Sequence, residues 1–482
     1  MTRLVALGSS TIVSCLLLIA CAIPAPRSGL VISNVTVVSP ERAAPLEHAY
    51  VRIVDGRIVE LDTRRLRGAT EIDGTGRYLI PGLIDSHVHL ALPPGFPAPM
   101  NPEQAAAHPE IVAAALEQDP RSFLYFGFTT VIDLVGTAGR TGQWNARELR
   151  PDAYHCGAAV IINGQVRQLL YPYFSYGLPW EQRMAPVADP AEQTAEAVVA
   201  RIAADGAICV KTVHDVWMTT PSVEEVRVLV AAAHARKLPV LIHANRKKSQ
   251  AFAVEAGVDV IVHGMWRNPD EAAALDDEAR EVLAGIVRDK IGYQPTTQVI
   301  VGFVDMHRAD YLTRPDLANA YPATLIDLYA SKEGAAGVPD WIKNANADAL
   351  AGARDTIGRA TEVTRILTES DARLLFGSDT PSDLIYTNPP GLNGRLELNH
   401  WIAAGVSEKK LFRALTLDNA RALHLQDKIG TVESGKTANL LLLRANPLES
   451  VAAYDTIETV FLHGRPIPRA ELSARRAKRK EE

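Results

Sequence analysis

Two histidines at the end of an apolar run are the first residues in this sequence whose types and spacing point to chemistry. His87 and His89 lie in LIPGLIDSHVHLAL, residues 79–92. Side chains two apart on a β-strand point to the same side, so a strand ending in His-Val-His aims both imidazoles into one small volume. Imidazole is a common ligand for zinc and related metals. The alternative is a surface strand end with two solvated histidines, and the rest of the chain must distinguish these interpretations.

Four further residues that suit a metal site follow apolar runs elsewhere in the chain. They are Lys211 in AICVKTV, His243 in PVLIHA, His263 in VDVIVHG and Asp379 in RLLFGSDT. If these runs are parallel strands of one barrel, their carboxyl ends meet at one face and the side chains converge. The alternatives are a salt-bridged strand-end lysine, two satisfied core histidines, and an aspartate that caps the turn after it.

Eight apolar runs separated by helix-like stretches predict the elements that position these residues. The runs are LIDSHVHL 83–90, TTVIDL 129–134, AYHCGAAVI 153–161, AICVKTV 207–213, PVLIHA 239–244, VDVIVHG 258–264, KIGYQPTT 290–297 and RLLFGSDT 373–380. Between them, residues 191–206 and 222–237 are predicted helices, the second with Ser222 as its N-cap. Eight strand–helix units predict an α/β protein with a (β/α)8 TIM barrel over residues 81–429.

The two ends of the chain have a different character. Residues 30–80 and 430–466 hold short β-like runs joined by turns, so we expect one small composite β-sandwich domain built from both chain ends. Residues 303–350 are long for a connection between a strand and a helix, and they predict a lid or substrate loop. Residues 467–482, which end in a basic run, are expected to form a solvated tail.

The first residues predict export rather than folding. Residues 1–20 combine a positive start with an apolar segment and small residues before Cys21, as in a signal peptide. The ending Leu-Ile-Ala-Cys resembles a bacterial lipobox, which implies a lipid on Cys21 and a tether over residues 21–29. An ordinary cleaved signal peptide and a single-pass anchor are the alternatives. By resemblance to Gram-negative lipoproteins, Ala22 implies anchoring at the periplasmic face of the outer membrane.

The composition gives no argument for a charged macromolecular partner. The 482 residues are 47% hydrophobic and 22% charged, with a net charge of −6, so neither nucleic acid nor an anionic membrane surface is indicated. Membrane contact is expected only through the lipid. After cleavage Cys156 and Cys209 remain. Export permits a disulfide, but the sequence does not define their distance, so two small buried apolar residues are the default and pairing stays open.

Two divalent metal ions explain the complete set of residues at the strand ends. We expect His87 and His89 to hold the more buried ion, with Asp379 as a further ligand, and His243 and His263 to hold the second. The ions would bring the pKa of a shared water toward neutrality. Asp379 would then accept the proton of that water and pass it to the leaving group, as the catalytic acid–base.

Lys211 is the exceptional member of the set, because a free ammonium repels a metal ion. Carboxylation of its amine by carbon dioxide would produce an anionic bridge between two ions. The alternative is a structural lysine beside a single ion. The expected cofactor is therefore zinc, as one or two ions, with two favoured and bridged by carboxylated Lys211.

The motifs around these residues resemble those of the amidohydrolase superfamily. PGLIDSHVHL, VKTVHD, LIHAN, AGVDVIVHG, PTT and LLFGSDTP occur in the superfamily's order, followed by ALTLDNARALHLQDKIGTVESGKTANLLLLRANPL. The resemblance covers about residues 30–466 and is greatest to the subgroup with imidazolonepropionases and prolidase-like dipeptidases. It implies a zinc-dependent hydrolase of C–N, ester or cyclic amide bonds in small-molecule or dipeptide-like substrates. One departure is Ala-Asn-Leu at 438–440, where the superfamily often has Ala-Asp-Leu.

Four more residues are candidates for contact with substrate: Arg246, Tyr293, Asn393 and Arg395. Arg246 suits a substrate carboxylate, with a solvated turn as the alternative, and Tyr293 is otherwise an aromatic residue of the barrel wall. Superfamily deaminases usually carry Glu where this chain has Arg246, which weighs against deamination. The predicted function is hydrolysis of an amide, dipeptide or cyclic amide bond. Lactone, phosphotriester or ester hydrolysis and a non-catalytic metal-binding lipoprotein are the alternatives, and a homo-oligomer stays open.

Overall fold

The computed structural model describes most of the chain from Gly29 onward. The described residues are 29–68, 70–90, 106–162, 166–169, 184–186, 189–215, 219–268, 271–272, 274–380 and 385–475. The predicted signal peptide, Cys21 and nearly all of the tether lie outside them. Among the helices of these ranges, none is long and apolar enough to cross a membrane.

The strands alternate with helices over the central part of the chain. The described strands are β1 (Leu30–Val37), β2 (Leu46–Val54), β3 (Arg57–Asp62), β4 (Thr70–Asp73), β5 (Tyr78–Pro81), β6 (Leu83–Val88), β7 (Phe128–Asp133), β8 (Asp152–His155), β9 (Val160–Ile162), β10 (Val166–Leu169), β11 (Met184–Pro186), β12 (Val210–Val213), β13 (Val240–His243), β14 (Val260–Val262), β15 (Gly292–Gln294), β16 (Leu440–Leu443), β17 (Ile457–Leu462) and β18 (Arg465–Pro468). The described α-helices are α1 (Pro109–Tyr125), α2 (Ala138–Asn145), α3 (Ala195–Ala204), α4 (Val223–His234), α5 (Lys247–Ala256), α6 (Asp277–Arg288), α7 (Thr297–Asp305), α8 (Leu317–Ala320), α9 (Ala323–Ala330), α10 (Lys332–Gly337), α11 (Asp340–Lys343), α12 (Ala347–Glu369), α13 (Leu392–Ala403), α14 (Glu408–Arg413) and α15 (Asn419–Ala422).

Strands from both ends of the chain form one hydrogen-bonded sheet. Its order is β18-β17-β16-β5-β1-β2-β3, with β4 paired to β1. The two ends meet where β16 runs antiparallel to β5, from Leu440 opposite Pro81 to Leu443 opposite Tyr78. Apolar side chains of both segments form one cluster that includes Ile32, Val51, Leu440 and Phe461. The N-terminal and C-terminal segments therefore share a core.

Parallel strands carry the candidate site, as expected. Strands β6, β7 and β8 form one parallel sheet, and β9, β12, β13, β14 and β15 run parallel in a second one. Alternate side chains point to opposite faces of each strand. Leu241, Val262 and Leu375 lie in the apolar cluster between the sheets, whereas Ile242, Ile261 and Phe376 lie in the larger cluster that includes residues of the surrounding helices.

Two of the eight predicted strands differ from the prediction. The third is split into β8 and β9, which belong to different sheets. The eighth, predicted over 373–380, has no continuous strand and contacts its neighbours through isolated bridges, Tyr293–Leu374 on one side and Val88–Thr380 on the other. The described residues therefore contain two parallel sheets joined by this segment rather than one closed eight-stranded sheet.

The helices begin where the sequence signals indicate, within a few residues. Predicted helix 191–206 is observed as α3, with Thr194 as its N-cap. Predicted helix 222–237 is observed as α4, where Ser222 and Glu225 form a reciprocal capping box. Residues 303–350 are mostly short helices, and Glu333 of α10 lies 2.7 Å from His108, which precedes α1. A role of this segment as a lid stays a prediction.

The expectation of a solvated tail from residue 467 was wrong for its first part. Residues 467–468 complete β18, and Arg469–Leu472 form a 3-10 helix in which Leu472 is buried. The guanidinium of Arg469 lies 4.1 Å from the centre of the Tyr125 ring, at the end of α1. The C-terminal segment packs against the barrel side because it carries these apolar and cation–π contacts. Residues 476–482 lie outside the described residues.

Candidate metal centre

The histidine pair at the end of β6 faces the aspartate of the eighth segment. Asp379 Oδ1 lies 3.1 Å from His87 Nε2 and 3.0 Å from His89 Nε2. One ligand atom from each of these three residues lies within 4.8 Å of the others. The structure therefore brings Asp379 to a histidine pair of which the nearer member, His89, lies 290 residues earlier in the sequence.

A second group of predicted ligands lies directly beside the first. The rings of His243 and His263 are 4.4 Å apart between centroids, and His263 is 5.2 Å from His87. His263 Nδ1 lies 3.6 Å from Asp379 Oδ2. Lys211 on β12 is only 4% exposed. The four histidines and Asp379 thus lie together, and the buried amine of Lys211 interacts electrostatically with His87, His243, His263 and Asp379.

Burial favours the neutral form of His87, His243 and His263 and makes Lys211 a weaker base. Burial lowers the pKa of His87 to about 4, and it lowers the pKa of His263 well below its usual value. Burial also lowers the pKa of Lys211 to about 7, against the opposing attraction of Asp379. Burial alone would raise the pKa of Asp379, but the nearby imidazoles of His87 and His263 hold it well below its usual range. The cluster therefore combines neutral nitrogens, an anionic carboxylate and an amine that is partly unprotonated at pH 7.

This donor set fits a divalent metal ion of the zinc type. Metal ions take imidazole in its neutral form and carboxylate in its charged form, which are the forms favoured here. His87 Nδ1 is buried without a hydrogen-bond partner, whereas its Nε2 faces Asp379 Oδ1 at 3.1 Å. A metal ion between His87, His89 and Asp379 would replace the direct imidazole–carboxylate contacts.

Several supporting residues escaped the sequence analysis because their own motifs carry no chemical signal. Asp85 accepts hydrogen bonds from the backbone N–H groups of His87 and Ser378, at 3.2 and 2.9 Å, and so ties β6 to the Asp379 segment. The side chain of Gln294, next to the Tyr293 that the sequence indicated, donates to Ser86 Oγ at 2.7 Å. The sequence signal that could have identified them was their closeness to candidate residues: Asp85 lies two residues before His87, and Gln294 follows Tyr293.

Asp215 and Gly377 also shape the site. His243 Nε2 donates to Asp215 Oδ2 at 3.1 Å, so Asp215 helps to orient the His243 ring. At Gly377 a Cβ atom would lie 2.6 Å from His87 Cβ, so only glycine lets the eighth segment approach β6 this closely.

Tyr293 and Arg395, two of the candidates for substrate contact, are engaged in contacts within the protein, and the prediction that they bind substrate gains no support from the structure. Tyr293 is 0% exposed and belongs to the outer apolar cluster, where its hydroxyl accepts a hydrogen bond from Gln250 at 3.2 Å. On so short a strand the side-chain alternation points Gln294 inward and Tyr293 outward. Arg395 forms a two-point ion pair with Asp455, at 2.8 and 2.6 Å.

The other two candidates for substrate contact are engaged by the protein. Asn393 is 0% exposed and donates to the carbonyl oxygen of Ser378 at 2.9 Å. Arg246 donates to the carbonyl oxygen of Arg267 at 3.3 Å and to the side chain of Asn268. Both side chains therefore brace the loops around the site. The prediction that they bind substrate gains no support from these contacts.

Comparison with known proteins places this chain in a family. A model of the amidohydrolase family matches residues 78–467. A dihydroorotase from Pelotomaculum thermopropionicum is 44% identical over 70 residues, and a 5-methylthioadenosine/S-adenosylhomocysteine deaminase from Halalkalibacterium halodurans is 31% identical over 70 residues. These two matches cover 14% and 13% of this chain and 16% of each relative, so they compare only a short segment.

The fold resembles solved structures over nearly its whole length. A Xaa-Pro dipeptidase with methionine bound in its active site superposes with a TM-score of 0.64 at 19% identity, over 91% of this chain and 99% of that one. This likeness shows an α/β fold of the TIM-barrel kind. Because the family model spans well over half of the sequence, the chain belongs to the amidohydrolase family of hydrolases.

Proposed function

We propose that this protein is a divalent-metal-dependent hydrolase that cleaves a C–N bond in a small peptide-like substrate, either a dipeptide or a cyclic amide. The observation that carries the proposal is the convergence of His87, His89 and Asp379, whose ligand atoms lie within 4.8 Å of one another. We further propose that the eight parallel segments act as one barrel with this site at its carboxyl-terminal face.

The side chains of the site suit activation of a water molecule. A bound divalent ion would lower the pKa of a water and polarise the scissile carbonyl. His87 stays neutral because burial lowers its pKa, and both His87 and His89 place an imidazole nitrogen beside Asp379. Asp379 stays anionic at neutral pH, so it accepts the proton of the attacking water and delivers it to the leaving nitrogen. Burial of the cluster excludes bulk water and strengthens these interactions.

Lys211 supports the proposal of two ions rather than one. Its amine is buried beside the histidines, and its pKa near 7 leaves an unprotonated fraction at neutral pH. Only that form reacts with carbon dioxide to give a carbamate. A carbamate at Lys211 would bridge one ion held by His87 and His89 and a second held by His243 and His263. Zinc is the proposed metal because nitrogen ligands dominate the set.

The substrate class is proposed from the structural neighbours together with the site. The neighbours include a Xaa-Pro dipeptidase, and a prolidase complexed with N-methylphosphonate-L-proline. Deamination is the less favoured chemistry. At position 246 this chain has an arginine, and its guanidinium is bonded to the loop after β14 rather than placed as a proton shuttle.

Export is part of the proposal. We place the enzyme at the periplasmic face of the outer membrane of a Gram-negative bacterium, held by a lipid on Cys21. A disulfide between Cys156 and Cys209 fits this address, because disulfides persist in oxidising compartments.

Metal analysis combined with a substrate panel tests the proposed function. The purified protein is expected to contain a divalent metal and to hydrolyse at least one member of a panel of dipeptides, N-acyl amino acids, cyclic imides and lactones. Asp379→Asn should lower kcat by about 10²-fold or more, because the proton acceptor is lost. Asp371→Asn, at a fully exposed side chain, is the matched control.

Other outcomes of the panel would each replace the proposal. Metal content without turnover of any member would indicate a non-catalytic metal-binding protein. Turnover of lactones alone would indicate ester rather than C–N chemistry. Protein that takes up no divalent metal would remove the metal site itself.

A further inference from the structure

One face of helix α13 contacts the backbone beside both halves of the candidate site. Asn393 and Glu397 are four residues apart, so they lie on the same face of the helix, and each is 0% exposed. Asn393 bonds Ser378, the neighbour of Asp379. Glu397 bonds the start of α7, directly after Thr296. The proposed mechanism gives no role to the contact of Glu397 with α7.

Glu397 provides the N-terminal cap that α7 does not obtain from its own N-cap residue. Its two carboxylate oxygens accept the backbone N–H groups of Thr297 and Gln298, at 3.1 and 2.6 Å. Trp401 Nε1 donates to the same carboxylate at 3.1 Å. The first N–H groups of a helix have no partner within the helix, and a carboxylate there also interacts favourably with the helix dipole. Glu397 therefore determines where α7 begins.

The N-cap residue is consequently available for another contact. Thr296 makes no side-chain hydrogen bond to its own helix, and its Oγ1 lies 3.1 Å from His263 Nδ1 instead. A hydrogen bond at one imidazole nitrogen determines which nitrogen keeps a lone pair for a metal ion. An Nδ1–H donated to Thr296 leaves the lone pair on His263 Nε2.

The backbone of Thr296 indicates that this contact is imposed by its surroundings. Thr296 has φ 45° and ψ 42°, in the left-handed region. A β-branched residue is rare there, and such conformations persist only where the neighbouring structure holds them. The carboxylate of Glu397, bonded to the next two residues, is a buried and rigid contact of that kind.

We propose that Glu397 is a positioning residue for the metal centre, which acts by holding the start of α7 so that Thr296 orients His263. The inference rests on the proposed metal site and adds to it a residue on a helix that carries no ligand. It requires that the effects of Glu397 and Thr296 on metal binding be coupled.

Titration of the metal-free protein with Co²⁺, followed by visible absorption, tests this role without any substrate. Glu397→Gln and Thr296→Val should each weaken Co²⁺ affinity by about tenfold or more and alter the absorption spectrum, as losses of outer hydrogen bonds to ligands do. Thr296→Ser keeps the hydroxyl and should retain affinity close to the parent. The double variant Glu397→Gln with Thr296→Val should bind Co²⁺ about as tightly as the single variant with the lower affinity, because both substitutions act through one contact.

A matched control separates positioning from helix capping in general. Glu225 accepts the backbone N–H of Ser222 at the start of α4, so Glu225→Gln removes a carboxylate at a helix start without touching α7. It should bind Co²⁺ like the parent. Parental affinity and spectrum in Glu397→Gln, or additive losses in the double variant, would overturn the inference and leave the metal site intact.

If thermal unfolding shows that Glu397→Gln does not fold, the comparison of Thr296→Val with Thr296→Ser tests the inference instead. Equal Co²⁺ affinities of Thr296→Val and Thr296→Ser would then overturn the inference. A parent protein that binds no Co²⁺ would remove the proposed metal site and this inference with it.

Discussion

We propose that the number of metal ions depends on Lys211. It is buried on β12, in a cluster that otherwise offers four imidazoles and one carboxylate as ligands. An unmodified ammonium at this position would repel a second cation, whereas a carbamate would bridge two ions. The lowered pKa of Lys211, caused by burial, favours the unprotonated amine that carboxylation needs.

Removal of the Lys211 amine should therefore reduce metal content. Lys211→Ala is expected to bind about one ion per chain where the parent binds about two, with a large fall in kcat because a second Lewis acid is lost. Metal analysis and steady-state kinetics measure both effects. A short carboxylic acid added with zinc should restore part of the activity. Unchanged metal content and turnover would make Lys211 a structural lysine beside a single ion.

At the scale of elements, the third strand is the place where the parallel sheets separate. Strand β8 pairs with β7, β9 pairs with β12, and four residues lie between them. Cys156, in this gap, is joined by a disulfide to Cys209, which precedes β12. The pairing that the sequence left open is thus present, and the default of two unpaired cysteines was wrong. The disulfide connects the two sheets two residues before Lys211.

Loss of this disulfide should destabilise the fold. The bond closes a long loop, with a sequence separation of 53 residues, so its removal is expected to lower the free energy of unfolding by about 2–4 kcal/mol. Denaturant unfolding of the Cys156→Ala, Cys209→Ala double variant measures this change, and the parent protein with and without reductant is the comparison. Coincident unfolding curves would show that the disulfide adds nothing measurable to the stability of the fold.

At the scale of the whole molecule, the sheet shared by the chain ends is integral to the fold. Strand β16 has β5 on one side and β17 on the other, and its four leucines are buried, Leu440 and Leu442 in the cluster shared with β1 and β2. Removing residues 29–81 would leave one edge of β16 unpaired and its apolar face open to water. Exposed hydrophobic edges of this kind promote aggregation.

A chain that starts at residue 82 is therefore expected to be poorly soluble, whereas one that starts at residue 29 should be soluble. Yield of soluble protein and size-exclusion chromatography compare the two. A soluble, monomeric product of the shorter chain would show that residues 82–475 form an independent unit and would remove the composite-domain proposal.

Lipidation of Cys21 stays a prediction and is testable in cells. Cys21→Ser should abolish acylation and leave the unprocessed precursor, because lipoprotein processing requires that thiol. Labelling with a fatty-acid analogue and the size of the mature chain report the result. Normal processing of Cys21→Ser would show that an ordinary signal peptidase releases the protein.

The sequence by itself determined the candidate ligands and the order of the elements. His87, His89 and Asp379 were identified because each follows an apolar run, and strands of a barrel deliver such residues to one face. Seven of the eight predicted runs contain strands, since alternation, burial and turn residues are local signals. Helix α4 was likewise predicted through its capping serine.

Only the tertiary structure decided which residues support the site. From the sequence alone, either Tyr293 or Gln294 could face a pocket. The alternation of side chains along β15 points Gln294 inward and Tyr293 outward. Asn393 and Glu397 lie outside the quoted motifs, and Thr296 lies in PTT, which gives no sign of a contact with His263; the contacts of all three arise from the packing of α13 and α7. The Cys156–Cys209 pairing also required the fold, because sequence does not contain the distance between residues on separate strands. Ligand types are local properties, whereas the contacts that orient them depend on long-range packing.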